Sequence, residues 1–323
     1  KTAYEMLRSL VGSEMCIRDR FEDVPTMLKA DEILEEYLSD KPVEDQRVFL
    51  ARSDTAMNFG LVSAALANKI ALMKLGNLSA RIGVRIHPIL GMGSAPFRGG
   101  LAPSTVESMA REYPSVVTFT IQSAFKFDYP VDQVRAACEY LKSRSIGQAE
   151  PVDVERALSI MDRYTKAYRR AIVDLAPHIN RLARHVPARR ARKLHIGLFG
   201  YARELDGITL PRAIAFTCCL YSLGLPPELI AFDALSDDDL DFVLRTYPSF
   251  RTIINMAVSF ADFEGPLMTD SLRAALARFG LESRPQQEHR SIVRKIRDEL
   301  ERGHSAQLGD LVLAAALVRR FLG

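Results

Sequence analysis

The sequence predicts an α/β fold in which parallel strands joined by crossover helices are followed by a mostly α-helical C-terminal region. Three observations carry this. Short apolar or β-branched runs at Arg47–Ala51, Val84–Leu90, Val116–Gln122 and Leu194–Phe199 alternate with longer stretches of helical period. Strands that alternate with helices pair in parallel, because each crossover returns the chain to the same end of the sheet. After Pro211 only helical periods continue, and the polar clusters before it fall just after the ends of predicted strands. In such sheets that is the end at which ligands bind.

Taken in order, residues 24–39 read as a helix, with Pro25 in the first turn and Ile33, Leu34, Tyr37 and Leu38 at helical spacing. Arg47–Ala51 is the first strand. Leu61–Leu75 is apolar on most faces and reads as a buried helix. Val84–Leu90 is a strand that runs into a glycine-rich loop. Ser104–Glu112 is helical, Val116–Gln122 is a β-branched strand, and Val131–Ser143 and Pro151–Leu175 are helices. Leu194–Phe199 is strand-like and leads to the turn Gly200-Tyr201-Ala202-Arg203-Glu204. Helices are then expected over 211–223, 226–232, 237–245, 251–263, 267–279, 287–302 and 306–321.

Composition narrows the function classes. Of 323 residues, 48% are apolar and 26% charged, which is ordinary for a globular protein. A net charge of +3 gives no reason to invoke nucleic acid or membrane as a partner. Four cysteines, with Cys218 and Cys219 adjacent, offer neither a disulfide framework nor metal-ligand spacing, and favour a reducing cytoplasm. No apolar run approaches the ~20 residues of a membrane span. The longest candidate, Leu311 to Leu317, reads as a short buried helix segment. The chain starts at Lys1 rather than Met, and residues 1–20 resemble translated sequencing adapter. They are set aside from the fold reading, Cys16 included.

The densest chemical signal is the stretch 89–103, in which four glycines and Ser94 surround Arg98. Glycines let backbone approach a ligand closely, and a guanidinium held among them offers a fixed fork of donors to a carboxylate or phosphate. Its bland counterpart is a salt bridge to Asp54 or Glu22. Asp54 follows the first strand beside Arg52, Ser53 and Asn58. It suits a hard divalent cation, or equally a cap on a helix beginning near Asn58. Glu22 precedes a helix start, where a carboxylate also complements the helix dipole. Paired with Asp54 it becomes a second metal ligand. Arg203 and Arg212 flank the later turn and could add positive field, or be surface and helix-start residues. The run from Arg181 to Lys193 is basic but lacks interleaved aromatics and reads as solvated surface. His87 and His195 read as packed core histidines.

Together these motifs resemble the phosphoenolpyruvate carboxylase family, in its shorter archaeal-type branch, over residues 21–323. The resemblance rests on Phe21-Glu22-Asp23-Val24-Pro25, on residues 51–60 (ARSDTAMNFG), on residues 88–103 with their Phe-Arg-Gly-Gly core, on residues 120–126 (TIQSAFK) and on residues 197–203 (GLFGYAR). Residues 210–227 and the last four, Arg320-Phe321-Leu322-Gly323, add to it. It implies that Glu22 and Asp54 hold Mg²⁺ or Mn²⁺. Arg98 would serve bicarbonate and carboxyphosphate chemistry, with Gly99, Gly100 and Ser94 in the same loop. The larger bacterial and plant branch carries an additional arginine and a lysine where this chain has Met92 and Met57. Their phosphate-binding duty would pass to Arg52, Arg203 or Lys126, with Arg212 nearby.

The activity so implied converts phosphoenolpyruvate and bicarbonate to oxaloacetate and phosphate. A homotetramer inhibited by a dicarboxylate such as aspartate or malate is implied as well. Family members are longer on the N-terminal side, where early strands and a catalytic histidine are expected. The chain is therefore expected to be the C-terminal part of the enzyme, inactive and poorly soluble alone. It would comprise a non-native segment (1–20), an incomplete TIM-type (β/α) barrel (21–210) and a helical region (211–323). The competing readings are another metal-dependent barrel lyase or aldolase, and a helical nucleic-acid-binding protein using residues 181–193.

Overall fold

The computed structural model describes residues 18–187, 203–205, 207–281 and 285–323. Its framework is a four-stranded, all-parallel sheet whose strand order follows the chain. Strand β1 (Arg18–Phe21) pairs with β2 (Asp45–Ala51), placing Phe21 opposite Leu50. The strand takes in Arg18 to Arg20, so three positions of the segment set aside on sequence belong to the sheet. Strand β3 (Arg85–Gly91) pairs with β2 along its whole length, and β4 (Thr118–Phe119) closes the other side. β4 is shorter than the expected run of 116–122, although Val117 and Thr120 still donate to the Pro88 and Leu90 carbonyls at 2.9 and 3.1 Å.

The helices show where periodicity was sufficient and where it was not. The stretch 24–39 is two helices, α1 (Val24–Leu28) and α2 (Ala30–Leu38), because Lys29 leaves the helical region at φ −109°, ψ 17°. Helix α3 (Ser53–Phe59) starts directly after β2, five residues earlier than the expected start near Asn58. Helix α4 (Leu61–Ile82) is buried along most of its length and runs to Gly83, whose φ of 72° stops it. Helices α5 (Val106–Glu112), α6 (Ser123–Phe127), α7 (Val131–Ser143) and α8 (Val154–Ala183) follow. α8 continues past the expected Leu175 and through Pro177, and it packs on α3 and α4.

The expected strand 194–199 lies outside the described residues. Arg203–Leu205 (β5) and Ile208–Leu210 (β6) form an antiparallel hairpin where the sequence suggested only a turn. The C-terminal region is helical as expected, with α9 (Ala213–Ser222), α10 (Asp237–Thr246), α11 (Phe250–Ser259), α12 (Asp270–Arg278), α13 (Gln287–Glu301) and α14 (Leu308–Arg319). The expected helix over 226–232 is instead two short 3₁₀ turns, Pro227–Leu229 and Phe232–Ala234. One apolar core runs from Phe21 to Leu322 and joins the sheet layer to these helices. Asp239 fastens the two regions. It completes a capping box with Ser236 and accepts from Arg156 and Arg163 of α8, each at 2.9 Å.

Two smaller expectations are corrected. The segment Leu311–Leu317 is helical but not wholly buried: Leu313 is 38% and Leu317 67% exposed. His87 is not a core histidine, because it sits near the start of β3, at the end of the sheet that faces solvent. It is half-buried, and its Nε2 lies 2.6 Å from Asp45 Oδ1. Arg85 and His87 hold the Asp45 carboxyl well below the usual carboxylate range. Among the described residues no single helix is long and apolar enough to cross a membrane.

Candidate active site

Because the four strands are parallel and in sequential order, their C-terminal ends lie side by side, with neighbours about 4.8 Å apart. Glu22 is the first residue after β1. Asp54 lies in the first turn of α3, just after β2. Arg98 closes the 3₁₀ turn Pro96–Arg98 that follows β3, and Gln122 and Lys126 follow β4. The fold thus brings Glu22, Asp54, Arg98 and Lys126, far apart in sequence, to one end of the sheet.

The two carboxylates differ in their surroundings. The cap on α1 comes from Asp23, whose carboxylate accepts from Thr26 N at 2.8 Å, so Glu22 is not spent on that role. Glu22 is half-buried and accepts from the Arg20 guanidinium. Asp54 is also half-buried. Among the described residues no group of three or more His, Cys, Asp or Glu is arranged around a metal position. Mg²⁺ does not require one. It binds through one or two carboxylates and completes its shell with water and substrate oxygens. Two hard oxygen donors leaving adjacent strand ends fit that pattern.

Arg98 is 4% exposed. Its Nη2 donates to Gln122 Oε1 at 2.6 Å and its Nη1 to the Gly323 carbonyl. The loop is folded on itself around this side chain. Gly93 N donates to the Arg98 carbonyl at 2.8 Å, and Leu101 N to the Gly93 carbonyl at 2.9 Å. Gly99, at φ 116°, and Gly100, at φ 75°, take conformations that a side chain opposes. A Cβ on Gly93 would lie 2.7 Å from Arg98 Cζ, and one on Gly99 2.9 Å from the Met92 side chain. The glycines therefore make room for the guanidinium and for Met92 beneath it. Gly323 is equally confined, since a Cβ there would meet the Ile214 carbonyl oxygen at 2.1 Å. Behind the loop is a cavity of about 210 Å³, lined by Ser94, Gly100, Thr105, Tyr129 and Arg320 among others.

One buried acid touches this loop. Glu228 is 2% exposed, and its Oε1 accepts from Phe97 N at 2.6 Å and from the Tyr221 hydroxyl at 2.8 Å. Burial pushes its carboxyl up to about 7, outweighing the lowering by those two donors and by the Arg52 charge. A carboxyl whose value is raised on folding binds its proton more tightly in the native protein. Stability is then highest below the unfolded value of 4.5 and falls as the pH rises towards 7. The Glu228→Gln variant lacks this titration. Its stability relative to wild type should rise by about 3 kcal/mol between pH 4.5 and pH 7, read by denaturant unfolding across that range. A pH-independent difference would refute the assignment.

The other sequence-selected residues fall elsewhere. Arg52 is fully buried. The chain passes through it in the helical region (φ −115°, ψ −38°), and its Nη2 faces the Leu61 carbonyl at 3.4 Å. Its charge acts on the neighbouring Tyr113 and Tyr247, whose hydroxyls burial pushes up. In this position it is an interior residue. The Arg203 backbone pairs with Leu210 in the β5–β6 hairpin, and its side chain lies outside the described positions. Arg212 is exposed at the start of α9. Lys126 is exposed, with its ammonium 5.1 Å from the Phe127 ring centroid. Met57 and Met92 are fully buried. In the basic run, Arg181 donates to the Leu300 carbonyl. Arg189, Arg190, Arg192, Lys193 and His195 lie outside the described residues.

Sequence reasoning overlooked Gln122 and Glu228. Gln122 sits within the stretch TIQSAFK (120–126) directly after a strand, a signal that could have found it. Glu228 follows Pro226-Pro227 within an apolar stretch, and a lone acid among apolar neighbours is the only hint.

Residues 6–323 match the family model described as phosphoenolpyruvate carboxylase. The whole chain is 44% identical, over 322 residues, to a protein of Methanothermobacter thermautotrophicus named phosphoenolpyruvate carboxylase, and covers 66% of its length. Proteins of that name from Methanospirillum hungatei and Pyrococcus abyssi are 43% identical over 94% of the chain and 45% identical over 81% of it. The matches cover 62% and 55% of those relatives.

Proposed function

The chain belongs to the phosphoenolpyruvate carboxylase family, and on that premise we propose that it supplies the metal-binding and arginine-loop half of an enzyme that carboxylates phosphoenolpyruvate with bicarbonate. The observation that carries this reading is the match over residues 6–323, with Glu22, Asp54 and Arg98 all following parallel strand ends. The chain spans between about half and two thirds of the length of the relatives it matches. The reaction is therefore assigned to the complete polypeptide.

In this reading Glu22 and Asp54 hold a divalent cation, Mg²⁺ or Mn²⁺, which when bound supplies Lewis-acid stabilisation of developing negative charge. Arg98 receives bicarbonate and then carboxyphosphate, offering its donors where phosphoryl and carboxylate charge gathers. Gln122, bonded to the same guanidinium, fixes its orientation. Lys126 and Arg212 add positive field for a triply charged substrate. The glycine-rich loop that follows β3 excludes the water that would otherwise protonate the enolate. Sequential strand order with functional groups at the C-terminal ends is also the pattern of a (β/α) barrel, and we extend the proposal to that geometry. A tetrameric state, a cytoplasmic location and inhibition by a dicarboxylate such as aspartate or malate belong to the same proposal on the strength of the family alone.

The test uses the complete polypeptide that carries this sequence. Phosphate release from phosphoenolpyruvate should require both bicarbonate and a divalent cation, and should yield oxaloacetate. The Asp54→Asn variant should raise the metal concentration for half-maximal rate at least about tenfold, as loss of one hard ligand does. Phosphate release that ignores bicarbonate would instead favour another barrel lyase.

A further inference from the structure

We propose that Glu228 is the positioning residue for Arg98, a clamp from the C-terminal helical region that fixes the arginine turn through the Phe97 backbone. The inference rests on the reading that Arg98 acts on bicarbonate and carboxyphosphate. The geometry behind it is specific. Phe97 is the residue before Arg98 in a single 3₁₀ turn, so holding its N–H fixes the backbone one residue ahead of the arginine. That N–H points at Glu228 Oε1 from 2.6 Å, across 131 residues of sequence. The carboxyl is 2% exposed, far too buried to be a casual surface contact.

The acid is itself held in place. Tyr221, from α9, donates to the same oxygen at 2.8 Å. The Tyr221 ring meets Phe321 edge-on at 5.1 Å, and Phe321 lies two residues before the Gly323 carbonyl that Arg98 grips. Phe97 completes the ring. It packs against Phe216 of α9 at 6.0 Å and against Tyr168 of α8 at 6.5 Å. Backbone and guanidinium of the arginine turn are thus tied to the same helical neighbourhood, the backbone through Glu228 and the side chain through Gly323. Burying an acid here is costly, with Arg52, Tyr164, Tyr168, Tyr221 and Arg319 acting on it or feeling its charge. Apolar packing alone could fill the space. Only an acceptor can capture the Phe97 N–H.

The experiment compares three substitutions in the complete polypeptide. Glu228→Ala removes the acceptor, Glu228→Asp withdraws it by one methylene, about 1.5 Å, and Glu228→Gln keeps an oxygen at the same reach. Displacing a catalytic group by about 1 Å can cost about 100-fold. Glu228→Ala and Glu228→Asp should therefore lower kcat by roughly that factor, with KM for phosphoenolpyruvate changed less than about threefold. Glu228→Gln should restore kcat to within about threefold of wild type. Hydrogen exchange at the Phe97 amide should accelerate in Glu228→Asp and stay slow in Glu228→Gln, a readout that needs no activity. Folded Glu228→Asp with wild-type kcat and a protected Phe97 amide would overturn the proposal, as would Glu228→Gln as impaired as Glu228→Ala. Arg98→Ala run in parallel separates the two readings. If it leaves turnover intact, the role given to Arg98 fails, while the exchange data still decide whether the clamp exists.

Discussion

Arg98→Lys in the complete polypeptide is expected to lower kcat by about 10²–10³-fold while leaving the protein folded. The charge is retained, so the variant isolates geometry. The native guanidinium donates at once to Gln122 and to the Gly323 carbonyl, two acceptors that meet at its planar fork. An ammonium is a compact point charge and cannot reproduce that planar set of donors. A shorter, free-rotating head would sit in a pocket shaped by Gly93 and Gly99, leaving one buried acceptor without its donor. That loss costs about 1–3 kcal/mol of stability and displaces the remaining charge from where substrate charge develops. Steady-state assays with bicarbonate varied, alongside a circular-dichroism melt, measure both consequences. Wild-type turnover in Arg98→Lys would remove Arg98 from the chemistry.

The largest effect on stability is expected at Lys69→Met. Lys69 is a cation in the middle of the buried helix α4, with a side chain only 5% exposed. Its Nζ lies 2.6 Å from Glu112 Oε1, a side chain 1% exposed. Removing the cation leaves the acid in the interior with its Coulombic partner gone. Breaking a buried pair from one side costs about 3–5 kcal/mol. The second substitution Glu112→Gln, made on top of Lys69→Met, should recover part of this. A neutral amide is cheaper to bury, and its oxygen can still accept from Ser249 N, now 2.8 Å from Glu112 Oε2. Urea unfolding of the single and double variants measures the difference. A Lys69→Met variant within 1 kcal/mol of wild type would mean that the pair is solvated in solution.

These two positions also mark what could be read from the sequence. The strands of residues 45–51 and 85–91 were legible because apolar runs bounded by polar clusters have few other uses, and helix α7 follows its expected bounds. The site was legible in part. Arg98 and Asp54 stand out because charged residues just past strand ends need a reason. For Arg52 the sequence shows proximity to a strand end but not which way the chain turns there. The early start of α3 makes that turn, and the arginine lies inside. Lys69 and Glu228 were invisible for a related cause. An isolated charge within an apolar segment reads as a solvated face until its partner, 43 or 131 residues away, is known. The β5–β6 hairpin escaped although Asp-Gly at 206–207 is a standard hairpin signal. Its strands of three residues are too short for periodicity to register.

The grip of Arg98 on Gly323 spans 225 residues. Ribosomes add roughly 5–20 residues per second, so a nascent arginine loop must wait on the order of 10–45 s for that partner to be made. Throughout that interval the sheet can already be assembled, since its strands pair in the order of their synthesis. The loop thus matures later than the sheet, and chaperones or proteases meet it first in an unlatched form.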